Sequence, residues 1–138
     1  MSAYIKLKEI FREASLSSDI SGILHWDMST MMPKNSRKQR ADQLAYLSKI
    51  SHEKISSNEV KDLIFEAKKE SLSQNDLHNL KEIEREHKLN SSVPSDLVQQ
   101  ISKISAKCEG EWQEARKKSD FNLIKYTLNE LIKLTKEE

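Results

Sequence analysis

At 138 residues, with 36% hydrophobic and 33% charged side chains and only two glycines and two prolines, the chain has the length of one domain and a composition suited to helices with broad polar faces. Lysine plus arginine total 23 against 22 aspartates and glutamates, which excludes the strong basic field that gathers nucleic acid or an anionic membrane, and no apolar run approaches the roughly 18 residues needed to cross a bilayer. The lone Cys108 excludes an internal disulfide and, with an N-terminus that lacks a signal-peptide core, makes the cytoplasm the expected location.

Tyr4, Leu7, Phe11 and Ala14 fall at 3,4,3 spacing and predict a first amphipathic helix. The serine-rich residues 15–19 offer caps for a second helix, expected from about Asp19 until Pro33 stops it, with Ile20, Ile23, Leu24, Met28 and Met31 as its apolar face. After a polar connector at residues 34–37, Ala41, Leu44, Leu47 and Ser48 mark a third helix reaching about Glu53. Capping patterns at Ser56-Ser57-Asn58-Glu59 and Ser73-Gln74-Asn75-Asp76 open two more, with Val60, Leu63, Ile64 and Ala67 inward on one and Leu77, Leu80, Ile83 and His87 on the other. Pro94 suits the first turn of the longest helix, whose stripe is Leu97, Ile101, Ile104, Cys108, Trp112 and Ala115. Asp120 can cap a last helix facing the core with Phe121, Ile124, Leu128 and Leu131. Acidic Glu137 and Glu138 oppose the dipole of a helix ending there, so this helix is expected to continue into further protein. With no clean strand alternation, the fold class is all-α: a single domain over residues 1–138, a bundle of about six or seven amphipathic helices.

A self-sufficient active site is not legible. His52-Glu53 is followed by Lys54, Ile55 and Ser56, so the second histidine of a His-Glu-x-x-His zinc helix is missing. Glu84-x-x-His87 is half of a di-iron bundle signature and has no second pair. Cys108 has no histidine on its own helix face and reads as a small core residue. Gly22 and Gly110 are too far apart for a phosphate loop. No catalytic residue and no metal ligand is therefore assigned.

The stretch around Trp26, Asp27 and Pro33 is the exception to this plainness. Helical spacing makes Trp26 and Met32 core filler. It also places Asp27 and Arg40 on inward faces either side of the Pro33 turn, where they are expected to form a buried ion pair bracing two helices. Breaking a buried pair costs roughly 3–5 kcal/mol, whereas a loss under about 1 kcal/mol for Asp27→Asn marks a surface contact.

In these residues the chain resembles the carboxypeptidase Taq family of zinc metallocarboxypeptidases. Leu24, Trp26, Asp27, Thr30, Met32 and Pro33 match a Leu-x-Trp-Asp-x-x-Thr-x-Met-Pro signature, and Arg40, Ala41, Gln43 and Leu44 match the helix after it. Val93-Pro94, Trp112-x-x-Ala115-Arg116 and Asp120-Phe121 extend the resemblance along the chain, while Lys34-Asn35-Ser36 departs from the small residues common in the family's loop. The resemblance implies the N-terminal part of a larger helical metallopeptidase, cytosolic and usually dimeric, that removes C-terminal residues from peptides. Zinc and its His-Glu-x-x-His helix belong to a longer chain. This chain is expected to be inactive alone, its partner being the missing catalytic segment or a second copy that covers an apolar patch, with peptide substrate only in the full-length enzyme. The alternative is a stand-alone helical interaction module derived from that family.

Overall fold

The computed structural model describes residues 1–137 as six α-helices and one short 3-10 turn: α1 (Ala3–Thr30), the turn Lys34–Ser36, α2 (Arg37–Ile55), α3 (Asn58–Ala67), α4 (Gln74–Ser91), α5 (Ser95–Lys118) and α6 (Asn122–Glu137). Among the described residues there is no strand, and Glu138 lies outside them.

Several boundaries follow from local chemistry. The Ser2, Ser57 and Ser73 hydroxyls accept the Ile5, Val60 and Asp76 backbone N–H groups and so cap α1, α3 and α4, the last at the expected residue and α3 one residue after the Ser56 that the Ser56–Glu59 box spacing indicates. Asp120 Oδ1 accepts the Asn122 N–H at 3.0 Å at the start of α6. Pro94 precedes α5 as its cap rather than entering the first turn, and Ser119, at φ 52°, closes the helix in the left-handed region. For the ten-residue α3 the cap matters: Ser57→Ala is expected to cost about 1 kcal/mol, read as a lower urea midpoint with an unchanged slope.

The expected helix break at residues 15–19 is absent, and α1 runs through it for 28 residues. The serines that suggested caps point their hydroxyls backward: Ser17 donates to the Glu13 carbonyl, Ser18 to Ala14 and Ser21 to Ser17. Back-bonded serine is tolerated inside a helix and no longer competes with it.

This length lets α1 tie two halves together. Its N-terminal half sends Tyr4 and Leu7 into a core with Val60, Ile64, Ala67, Leu80 and Ile83 from α3 and α4. Its C-terminal half sends Met28 against Ala41, Leu44 and Ala106 from α2 and α5. A third cluster, Cys108, Ala115 and Ile124, joins α5 to α6, with Leu128 and Leu131 packed on it. Cys108 is thus a core residue, as expected, and burial followed by the Glu111 charge raises its thiol pKa. Small buried residues, Ala41 and Ala45 on α2 and Ala106 and Gly110 on α5, line the most extensively packed helix pair.

Five expectations about facing need correction. Ile20, Ile23 and Met31 are exposed, because the inward face of α1 between Ala14 and Leu24 carries serines instead, Ser17 and Ser21 among them. Trp26 is 61% exposed rather than core filler, since the next inward position after Leu24 is Met28. Phe121 sits at the α5–α6 turn, before the first residue of α6, and is exposed. Trp112 is also exposed, with the Arg116 guanidinium 5.5 Å from its ring centroid, and Leu77 is at the exposed margin of α4.

Candidate functional site

The signature residues gather at the corner where α1 hands over to α2. The Asp27 carbonyl accepts the Met31 and Met32 N–H groups at 3.0 and 2.9 Å, ending α1. Pro33 then takes an extended conformation, φ −60° and ψ 141°, and its carbonyl accepts the Ser36 N–H at 2.9 Å to form the 3-10 turn. A proline suits this position because it removes the N–H that would prolong α1 and fixes the exit direction. Lys34, Asn35 and Ser36, the departure from the family's loop, are accommodated as that turn, and the polar connector expected at residues 34–37 gives up Arg37 to α2.

Arg40 on α2 reaches back across the corner. Its Nη2 donates to Asp27 Oδ2 at 2.7 Å, its Nη1 to the Leu24 carbonyl at 2.6 Å, and its Nε to Gln43 Oε1 at 3.0 Å. The fork of guanidinium donors suits such divided bonding, which a single ammonium could not span. The ion pair expected between Asp27 and Arg40 is therefore present. It is less buried than expected: the Arg40 side chain is 13% exposed and Asp27 36%, which places the carboxylate at the rim. Beneath it, Met32 and Leu24 pack on the Met28–Leu44 cluster. Thr30 spends its hydroxyl on the Trp26 carbonyl at 2.7 Å.

A second charged bridge, which the sequence did not single out, joins the turn to α5. Lys34 Nζ and Arg37 Nη2 converge on Glu114 Oε1 at 2.8 and 3.3 Å, and Arg37 also donates to Gln113. The Arg37 shaft crosses Gly110 so closely that a Cβ there would lie 3.0 Å from Arg37 Cδ. Only a contact between helices far apart in sequence creates this arrangement, so periodicity carried no signal for it. Trp112 and Arg116 pair with each other on the outside of the same helix.

Two carboxyls, Glu114 of this bridge and Asp76 at the start of α4, titrate below their ordinary values. The Lys34 hydrogen bond, its charge and then Arg37 hold Glu114 below its ordinary 4.5, and the Ser73 and Tyr4 hydroxyls hold Asp76 below its ordinary 3.8. A carboxyl depressed in the folded state stabilises the fold above its unfolded pKa and loses that contribution as pH falls through the folded value. The urea midpoint is expected to change little from pH 7 to about 5 and to fall below about 4.5, and Asp76→Asn to remove part of that acid loss. A midpoint that stayed level or rose to pH 3 would contradict this linkage.

The histidines do not assemble a metal site. His52 Nε2 donates to the Asn90 carbonyl at 2.8 Å, which leaves Nδ1 as an unpartnered acceptor in the interior. His87 Nδ1 lies 2.7 Å from the Ile55 carbonyl, while Glu84 pairs with Lys68. Among the described residues, no three His, Cys, Asp or Glu side chains are grouped to hold a metal ion. The described side chains therefore do not fit a zinc centre.

What the fold and corner define is a helical segment braced by an inter-helix arginine. Residues 6–138 match the carboxypeptidase Taq (M32) metallopeptidase family, and the chain belongs to it, corresponding to its N-terminal region. Thermostable carboxypeptidase 1 of Thermus thermophilus is 26% identical over 140 residues, covering 99% of this chain and 28% of its own length. Carboxypeptidase 1 of Bacillus subtilis is 28% identical over 130 residues, 93% of this chain and 26% of its own. The BsuCP crystal structure superimposes on 98% of this chain with a TM-score of 0.91 at 26% identity, and metallocarboxypeptidase 1 of Trypanosoma cruzi on 99% with 0.70 at 30%. This chain covers 28% of each of those two structures.

Proposed function

We propose that the chain is one helical domain, residues 1–138, that serves as the N-terminal support of a zinc metallocarboxypeptidase and is not catalytic by itself. The observation that carries this reading is the superposition of nearly the whole chain on 28% of a solved relative, with the signature residues forming the inter-helix corner. In this role Trp26, Asp27, Thr30, Met32, Pro33, Arg40, Gln43, Trp112 and Arg116 are structural: Arg40 fixes the angle between α1 and α2, and the exposed Trp26 and Trp112 face whatever the remainder of the enzyme brings.

The zinc, its ligands and the groups that hold a peptide's C-terminal carboxylate belong to that remainder, as does the dimeric state that the resemblance implies. Partner candidates are a catalytic segment or a second copy, and the cytoplasm is the proposed compartment, in keeping with one packed thiol and no helix among the described residues long and apolar enough to cross a membrane. The chain alone is expected to release no C-terminal residue from a peptide and to show no tight stoichiometric zinc uptake by calorimetry. Adding a segment that encodes His-Glu-x-x-His and the rest of the fold is expected to restore release. Peptide hydrolysis by the purified chain with one bound zinc would overturn the proposal.

A further inference from the structure

We infer that the outward stripe of α1, Leu16, Ile20 and Ile23, is the face on which the remainder of the carboxypeptidase fold packs, an inference that rests on the function proposed above. Leu16, Ile20 and Ile23 are 48%, 48% and 66% exposed and fall at 4,3 spacing on one side of the helix, away from the side that buries Leu7, Ala14 and Met28. Between Glu13 and Asp27 this helix carries a single formal charge, Asp19, in a chain that is 33% charged. Over residues 16–23 serines take the inward positions and the aliphatic side chains face outward, an apolar stripe of the kind that another element covers.

The occupant follows from coverage. With 98% of the chain superimposing on 28% of BsuCP, these helices keep their mutual arrangement inside a protein most of whose polypeptide lies outside the matched segment. That polypeptide is the material available to cover the stripe. A second copy is the weaker occupant, because three half-exposed aliphatic side chains supply only a fraction of the roughly 800 Å² per partner that a stable dimer buries.

The test replaces the matched segment of Bacillus subtilis carboxypeptidase 1 with this chain and compares variants in the hybrid and in the isolated chain. Ile20→Glu/Ile23→Glu is expected to leave the helicity and Tm of the isolated chain unchanged, since both side chains already meet water, and to reduce its binding of a hydrophobic dye. In the hybrid the same pair is expected to lower Tm by about 5–10 °C and peptide release by at least about tenfold, because two carboxylates are then forced against an apolar surface. An active hybrid indifferent to Ile20→Glu/Ile23→Glu overturns the assigned face and leaves the proposed function standing. A hybrid that fails to fold with the unaltered chain overturns the function and this inference with it. Unfolding of the isolated chain by the glutamates, or a dimer in sedimentation that they dissolve, overturns the inference by placing the stripe in the chain's own core or against a second copy.

Discussion

Arg40→Ala is expected to destabilise the chain by about 2–3 kcal/mol in urea unfolding. The substitution removes three donors at once, those to the Leu24 carbonyl, Asp27 and Gln43, and with them the one side-chain link between Asp27 and α2 among the described residues. The loss stays below that of a fully enclosed pair because Asp27, at the rim, is rehydrated when its partner leaves. For the same reason Asp27→Asn is expected to cost only about 1–2 kcal/mol, and the double-mutant cycle between the two residues to return a coupling of about 1 kcal/mol. Arg40→Lys should recover less than half of the loss, since one ammonium cannot reach three acceptors in different directions. A cost under about 0.5 kcal/mol for Arg40→Ala would show that α1 and α2 hold their angle through apolar packing alone.

Leu44→Ala is expected to be more damaging still, at about 3–4 kcal/mol. Leu44 is enclosed by Met28 from α1, Ala41 from its own helix and Ala106 from α5, with Leu24 and Met32 packed at the edge. Two of these neighbours are alanines, which have no length to move into a void, so the cavity term adds to the lost transfer energy. Leu44→Met nearly conserves volume and is expected to cost less than about 1.5 kcal/mol. Chemical denaturation of both variants checks this, and equal effects would mean that the three-helix junction is loosely packed.

Helix existence was legible because it depends on neighbours in sequence. The serine at 73, the proline at 33 and the three-residue spacing of Leu80 with Ile83 each act within a turn or two of themselves, and each appears in the fold as read. The Asp27–Arg40 pair was legible for a related reason: a short turn between two helices leaves few places for a carboxylate and a guanidinium one turn inward on either side. The Lys34–Arg37–Glu114 bridge and the passage of Arg37 over Gly110 were not, since both depend on how α5 lies against the turn more than 70 residues earlier.

The serines of α1 show where local rules mislead. Residues 15–19 have the side chains of a cap, and in isolation capping and back-bonding are both open to a serine hydroxyl. Packing of both ends of α1 against different partners resolves the choice in favour of one continuous helix, with Ser17, Ser18 and Ser21 bonded to the preceding turn. Once the helix is continuous, the phase set by Leu7 and Ala14 carries through to Met28 and leaves Ile20 and Ile23 outside.

The sequence by itself determined the all-helical class, most caps, the arginine brace and membership of the M32 family, because helix periodicity, capping and a spaced signature are written in residues close along the chain. Only the tertiary structure decided that α1 is one helix and which of its two apolar stripes faces inward. Both stripes satisfy the period of a helix, and the choice between them rests on α2, α3, α4 and α5, whose positions no local spacing specifies.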